Sequence, residues 1–131
     1  SVWLPTEEAE TAPHTKQKML AASSRDTVRS AGRTGKPSRQ LRSDWTDAWA
    51  PNPGGRKPLP LPLQSMVAEP ALRRIDKLAE GGHAGAQALS TYFVGQGVGL
   101  MNKIKPAREV VLEFIEDYVA AAERLSGTLE D

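Results

Sequence analysis

The residues that could carry chemistry in this 131-residue sequence are few and scattered. It contains no cysteine, which excludes disulfide scaffolds, thiolate zinc sites and cysteine nucleophiles. Its two histidines, His14 and His83, have no second ligand at the spacing of a helical metal motif. No serine lies in a G-x-S-x-G nucleophile elbow. The side chains alone therefore predict neither a self-contained active site nor a metal site.

A glycine-rich stretch, Gly95-Gln96-Gly97-Val98-Gly99, is a weaker candidate for a ligand site. A dinucleotide-binding fingerprint is G-x-G-x-x-G between a strand and a helix, whereas the spacing here is G-x-G-x-G after a predicted helix. We therefore expect a bare backbone turn that a ligand or neighbouring chain can approach closely. Gln96 could donate or accept a hydrogen bond at the edge of a ligand. The alternative is a plain turn with an exposed amide.

The charge of the chain is nearly balanced overall but uneven along its length. Lys and Arg number 17 and Asp and Glu 16, which argues against a dedicated nucleic-acid-binding protein. Residues 11–60, however, hold ten of the bases and three of the acids. This basic middle could face an anionic ligand, or it could be a solvated surface. No apolar run approaches the roughly 20 residues of a membrane span, and no secretory signal is recognisable.

The first half of the chain predicts short elements joined by turns. Pro13 should lie in the first turn of a helix over about 13–23. Residues 25–42 predict two short strands around a glycine-containing turn, and Ser43 predicts the N-cap of a short helix that carries Trp45 and Trp49. Residues 51–62 predict a rigid proline-rich connector with Leu59 and Leu61 packed inward. A ligand for a proline-recognition domain is the alternative.

The second half predicts three helices. Pro70 should open the first, which should end at Gly81-Gly82 with Gly81 as the C′ residue. The second should cover about 84–93. The third should begin near Pro106, end at Gly127 and bury one apolar face. That face comprises Val110, Val111, Phe114, Ile115, Tyr118, Val119, Ala122 and Leu125. Because large apolar residues are scarce before residue 65, the chain reads as a piece that packs on something else.

Several stretches, in this order, resemble one known family. They are Ser1-Val2-Trp3-Leu4-Pro5-Thr6-Glu7-Glu8, Lys16-x-x-Met19-Leu20-Ala21-Ala22, Asp26-Thr27-Val28, Thr34-Gly35-Lys36-Pro37-Ser38-Arg39-x-Leu41-Arg42, Pro58-Leu59-Pro60-Leu61-Pro62-Leu63-Gln64 and Gly95-Gln96-Gly97-Val98-Gly99-Leu100. The family is that of the FMN-dependent nitronate monooxygenases, formerly called 2-nitropropane dioxygenases. These are TIM-barrel flavoproteins with a substrate-binding subdomain.

The resemblance implies a helix-rich α/β fold: the C-terminal portion of a TIM-barrel flavoprotein with its smaller substrate-binding subdomain. Residues 1–23 would form the end of the last barrel strand and the following helix. Residues 24–103 would form the substrate-binding subdomain, and residues 104–131 a C-terminal helix packed on the scaffold. The remainder of the barrel would be a necessary partner, in the same polypeptide or as a separate chain.

The resemblance also implies roles for particular residues. Backbone amides of Ser1, Val2 and Trp3 would bind the FMN phosphate, in line with the phosphate site of many TIM barrels. Gln96 and Gly97 would border the substrate cavity. The family's catalytic histidine would lie upstream of this chain, so no catalytic residue is assigned and neither His14 nor His83 takes that role.

The activity implied is the oxidation of alkyl nitronates with flavin and oxygen, in a cytoplasmic enzyme. Alternatives within the family are a flavin-dependent reductase of enoyl- or acyl-CoA double bonds and an NADH:quinone reductase. An acyl-CoA substrate would suit the basic middle, with Arg33 and Arg39 as candidate contacts. The alternative of another class is a non-enzymatic helical protein-interaction module. We expect no nucleic-acid or membrane partner, leave a homo-oligomer open, and expect the 131-residue piece to be inactive alone.

Overall fold

The computed structural model describes residues 2–129, in which helices surround one antiparallel β-hairpin. The helices are α1 (Pro13–Ala21), α2 (Asp44–Ala48), α3 (Leu63–Glu80), α4 (Ala84–Leu89) and α5 (Ala107–Leu129), and the strands are β1 (Thr27–Ser30) and β2 (Ser38–Leu41). Two short 3₁₀ helices, Ser24–Asp26 and Gln96–Leu100, complete the regular structure; the second is called the glycine turn below. No described helix is long and apolar enough to cross a membrane.

The hairpin is widened by a third extended segment, residues 91–94. Within the hairpin, Thr27 lies opposite Leu41 and Ser30 opposite Ser38. On the other edge of β2, the Leu41 N–H donates to the carbonyl of Tyr92 at 3.0 Å, and the Val94 N–H donates to the carbonyl of Arg39 at 3.2 Å. This pairing brings the glycine turn, which follows directly, against the core.

A small core joins elements from distant parts of the chain. Its buried members are Met19, Leu41, Val94, Val98 and Met101. They come from α1, from β2, from the 91–94 segment, from the glycine turn and from the residue after it. One apolar cluster therefore joins five parts of the chain. Val2 and Leu4 pack against the same cluster. The start of the described chain is therefore held beside the glycine turn.

Several elements confirm the sequence-based expectations, because their signals are local. Pro13 begins α1, and the two short strands form in the 25–42 region. The Ser43 hydroxyl accepts the Thr46 N–H while the Thr46 hydroxyl accepts the Ser43 N–H, which makes a capping box at α2.

The predicted boundaries of α3 and α4 were wrong. Pro70 lies inside α3, which begins at Leu63. Burial of Ala68, Leu72 and Ala79 along this helix offsets the cost of an interior proline, about 3 kcal/mol for the missing hydrogen bond and the clash of the ring with the preceding turn. The left-handed residue after α3 is Gly82, with φ of 85°, rather than Gly81. Helix α4 stops at Leu89 instead of residue 93, because the following segment is extended against β2.

Other corrections concern exposure and the chain ends. Leu59 and Leu61, expected to pack inward, are 45% and 59% exposed. Helix α5 continues past Gly127 to Leu129, and of its predicted buried face only Val110 is buried, because no other described element covers it. Residues 2–5, expected to end a strand, form turns. The Thr6 N–H and hydroxyl both bond to the Trp3 carbonyl, which closes the turn.

The cap before β1 makes folding sensitive to acid. The backbone N–H and the hydroxyl of Ser23 both donate to Asp26 at 2.7 Å, and these bonds hold the pKa of Asp26 below its ordinary value of 3.8. A lowered pKa stabilises the fold above the ordinary value, and the stabilisation is lost as the pH falls through the folded-state pKa.

We therefore expect Asp26→Asn to lower the melting temperature at pH 7, with the difference from wild type shrinking below about pH 4. Thermal unfolding from pH 3 to 7 measures this. Asp117→Asn, an exposed aspartate on α5, is the matched control and should have little effect at any pH. An Asp26→Asn effect that does not change with pH would contradict the role given to the charge.

Candidate functional site

The glycine turn presents a polar side chain and a bare backbone on one surface of the molecule. Val98 is fully buried and anchors the turn in the core, whereas Gln96 and Gly97 are exposed. A Cβ added to Gly97 would meet nothing within 4 Å. Leu100 is 86% exposed beside them. This surface can therefore offer an amide group next to open backbone, with an apolar side chain at its edge.

Gly99, unlike Gly97, lies against another segment of the chain. A Cβ at Gly99 would lie 2.7 Å from the backbone nitrogen of Ser24. The turn packs at this point directly on the backbone of the first 3₁₀ helix, where only glycine fits without movement. The sequence predicted that a ligand or a neighbouring chain could approach these glycines closely. At Gly99 the neighbour is a segment of the same chain, whereas the space beside Gly97 is open.

Val2 lies near the glycine turn, and Trp3 lies against α5. Within residues 2–129, the backbone N–H groups of Val2 and Trp3 donate to no acceptor. The Trp3 ring contacts Phe114 of α5 with ring centroids 6.1 Å apart. Val2 and Leu100 also line one cavity of about 180 Å³ between the N-terminal turn and α5. Ser1, the third predicted phosphate contact, lies outside the described residues.

Arg33 is held by protein groups on two sides. Its guanidinium donates to both carboxylate oxygens of Glu69, at 2.8 and 3.3 Å. It also lies 4.6 Å from the ring centroid of Phe93, a cation–π distance. Its side chain is 12% exposed. Arg33 therefore positions Phe93, three residues before Gln96, and its guanidinium is already engaged by a carboxylate.

Arg39 is also engaged, at a separate place. Its Nη1 donates to the Thr27 hydroxyl at 2.9 Å across the hairpin. Arg39 lies directly opposite Arg29 in the register. The structure thus gives Arg33 and Arg39 different partners rather than one shared pocket.

A polar cluster around the buried Ser90 was not predicted from the sequence. His14 Nε2 lies 3.0 Å from the Ser90 hydroxyl, which donates to Asp76 Oδ1 at 3.1 Å. Lys18, one helical turn after His14, donates to the Ser90 carbonyl at 2.5 Å. Burial lowers the pKa of the Lys18 ammonium, against the opposing effect of Asp44 and Asp76.

This cluster contains a serine, a histidine and an aspartate, but it is not arranged as a catalytic triad. Ser90 is fully buried, so no substrate can reach its hydroxyl. The aspartate contacts the serine rather than the far nitrogen of the histidine, which has no partner among the described residues. No sequence signal could have found it, because His14 and Ser90 lie 76 residues apart. We interpret the cluster as a clamp between α1, α3 and α4.

Comparisons with known proteins place this geometry in context. No family model matches the chain. It is 50% identical over 131 residues to a Mycobacterium tuberculosis (strain ATCC 25618 / H37Rv) protein, "Putative monooxygenase Rv1533", covering 99% of this chain and 34% of that protein. Two structures of FabK from Thermotoga maritima also match. One, of a mutant, has a TM-score of 0.66 at 24% identity, and the other has a TM-score of 0.64 at 26% identity.

Both FabK matches cover 95% of this chain, but only 33% and 37% of the FabK chains. The fold is that of the C-terminal part of a TIM-barrel flavoprotein. The predicted fold class, a helix-rich α/β portion of such a barrel, is confirmed. The chain spans about a third of the length of the proteins that it matches.

The pairing of Arg33 with Glu69 predicts a measurable coupling. Arg33→Ala should lower the free energy of unfolding by about 1–2 kcal/mol, because the Glu69 carboxylate loses two charge-assisted hydrogen bonds at a partly buried position. A double-mutant cycle with Glu69→Ala, followed by urea denaturation, measures this, and Arg73→Ala on the exposed surface of α3 is the control. If the two substitutions add without coupling, the pair does not stabilise the fold.

Gly99 and Gly97 form a matched pair for testing the glycine turn. Gly99→Ala should lower the free energy of unfolding by about 1–3 kcal/mol, since the new methyl group would displace the Ser24 backbone. Gly97→Ala should change it by less than about 0.5 kcal/mol, because the position opens to free space. Urea denaturation of the two variants provides the comparison. Equal effects would show that the approach to Ser24 does not constrain the turn.

Proposed function

We propose that this chain is the C-terminal, substrate-covering part of an FMN-dependent oxidoreductase of the nitronate monooxygenase type. The observation that carries the proposal is the 50% identity, over 99% of the chain, to a protein named as a monooxygenase. The likeness of the fold to the C-terminal part of FabK supports the same assignment. Oxidation of alkyl nitronates is the finer part of the proposal.

Two backbone N–H groups of the N-terminal turn support a site for the phosphate of a flavin mononucleotide. The N–H groups of Val2 and Trp3 have no acceptor within the described chain and could donate to phosphate oxygens. Oxyanions are bound well by such unpaired backbone N–H groups. FMN, when bound, supplies the electron transfer between substrate and oxygen, while the protein supplies binding and orientation.

On this proposal, the exposed surface around the glycine turn borders the substrate. Gln96 would hydrogen-bond the oxygen atoms of a nitronate, and the bare backbone at Gly97 would leave room for the substrate. Phe93 and Leu100, which are also exposed, would exclude water from the reacting atoms. Arg33 would act through Phe93 as a positioning residue, because its guanidinium is bound to Glu69.

The remaining barrel is the partner that the exposed apolar surface requires. Along α5, the exposed large apolar side chains are Val111, Leu112, Phe114, Ile115, Tyr118, Val119, Leu125 and Leu129. A soluble domain rarely exposes so continuous an apolar surface unless it is covered by another protein surface. Because the matched proteins are about three times as long as this chain, we propose that the remaining two thirds of the fold provide that cover.

A second candidate activity is the reduction of an enoyl- or acyl-CoA double bond by the same flavin. The excess of bases over acids between residues 11 and 60 favours this candidate, since such substrates are anionic. Turnover of nitronates and of enoyl-CoA by the same purified enzyme distinguishes the two candidates.

Colour is the first test of the flavin. Protein expressed from its native gene should be yellow, with absorbance near about 450 nm, and should release FMN on denaturation. Chromatography of the released compound identifies it. A colourless protein that binds no added FMN would overturn the proposal and favour a non-enzymatic interaction module.

Substitution of Gln96 tests the substrate surface. Gln96→Ala should lower kcat/KM about tenfold, which corresponds to about 1.4 kcal/mol of transition-state binding, while the FMN content stays unchanged. Gln17→Ala, an exposed glutamine on α1 with no hydrogen bond in the described chain, is the matched control. If both variants retain full activity, Gln96 does not border the reacting substrate.

A further inference from the structure

A second groove, separate from the glycine turn, lies along the outer edge of the hairpin. It is lined by β1, by Trp49 at the end of α2 and by the loop over 50–58, and it encloses about 340 Å³. We call it the Trp49 groove. Its volume falls within the range of small-molecule sites, about 300–1,000 Å³. Since β1 lines this groove while the 91–94 segment pairs with the opposite edge of β2, the hairpin separates it from Gln96.

The Trp49 groove is strongly cationic. Arg29, Arg42, Arg56 and Lys57 line it, and Asp47 is the one carboxylate among its lining residues. Asp47 lies 3.9 Å from Arg42, with both side chains more than half exposed, so the pair is weak. The side chains of Arg29, Arg56 and Lys57 make no hydrogen bond or ion pair with any described residue. Three cations therefore face the groove without a counter-charge.

One of these cations is held at an electrostatic disadvantage. Arg29 lies directly opposite Arg39 in the antiparallel register. Like charges at opposed cross-strand positions destabilise a hairpin. An anion bound in the groove beside Arg29 would relieve this repulsion.

The aromatic wall of the groove is rigidly placed. A Cβ added to Gly32 would lie 2.6 Å from the Trp49 ring, so the indole packs directly on the backbone of the β1–β2 loop. Trp45 supports it at a centroid distance of 6.1 Å. A fixed indole beside several cations combines a surface for stacking a base with charges for binding phosphate.

We propose that the Trp49 groove binds the adenosine diphosphate portion of an anionic ligand, with Arg29, Arg56 and Lys57 on the phosphates and Trp49 against the base. Coenzyme A and the nicotinamide dinucleotides share this portion. None of its residues lies on the glycine turn or the N-terminal turn, so its occupancy can be measured separately from the proposed flavin chemistry. Coenzyme A as the ligand would agree with the second candidate activity, whereas a nicotinamide dinucleotide would not require it.

Titration with ADP is the direct test, by calorimetry at low salt on the protein expressed from its native gene. The double variant Arg56→Gln/Lys57→Gln should raise the Kd for ADP on the order of tenfold, since each substitution removes one exposed ion pair with the phosphates. Arg73→Gln/Arg74→Gln removes the same charge from exposed positions on α3 outside the groove and should leave the Kd within about twofold. Equal weakening by both double variants, or no binding of ADP to the wild type, would overturn the proposal.

Arg29→Gln separates binding from folding. It should raise the melting temperature of the ligand-free protein, because the repulsion from Arg39 disappears, and it should weaken ADP binding about fivefold. A purely structural Arg29 would lower stability and leave the Kd unchanged, which would contradict the proposal.

Two further measurements test the contact between Trp49 and the base and identify which class of compound supplies the adenosine diphosphate portion. ADP should quench tryptophan fluorescence and bind more tightly than pyrophosphate; equal affinity without quenching would overturn the role of Trp49. Coenzyme A and NADH should each compete with ADP if the shared portion is what binds, and the tighter of the two identifies the natural ligand class. Failure of both to compete would overturn the assignment.

Discussion

The pairing of the 91–94 segment with β2 is the interaction on which the described arrangement depends. Two backbone hydrogen bonds join the strands: the Leu41 N–H donates to the Tyr92 carbonyl, and the Val94 N–H donates to the Arg39 carbonyl. In addition, the Thr91 hydroxyl donates to the Leu41 carbonyl at 2.6 Å and closes the end of the pairing. Each buried group left without a partner would cost about 1–3 kcal/mol. Because the segment leads directly into the glycine turn, this pairing determines the position of Gln96.

Buried polar side chains attach the irregular parts of the chain to the hairpin and to one another. Gln64, almost completely buried, donates from Nε2 to the Gly32 carbonyl at 2.8 Å and accepts the Leu59 N–H at 3.0 Å. It thereby joins the β1–β2 loop to the proline-rich connector, whose prolines can donate no backbone hydrogen bond. The Arg33–Glu69 pair likewise holds Phe93 in place, because the Arg33 guanidinium lies over the Phe93 ring. Loops without regular structure need such side-chain partners, since their backbone groups cannot satisfy one another.

The exposed surface is divided between apolar and cationic regions. Helix α5 and the Leu59–Val67 region expose large apolar side chains that another part of a barrel would cover, whereas the Trp49 groove exposes cations that a protein interior would exclude. The proposed substrate surface at Gln96 and the proposed nucleotide groove lie at opposite edges of one three-stranded arrangement. The hairpin therefore separates the two proposed ligand-binding surfaces.

The sequence by itself determined the elements whose signals are short-range: Pro13 at the start of α1, the strands on either side of Gly35, and the Ser43 cap. It also indicated the barrel fold through the order of several short stretches, though no one of them was decisive. The start of α3 ahead of Pro70, the early end of α4, the exposure of Leu59 and the partners of Arg33 were decided only by the tertiary structure. Capping and turn formation depend on neighbours a few residues away, while burial and ion pairing depend on groups such as Arg33 and Glu69, 36 residues apart, whose meeting no local pattern encodes.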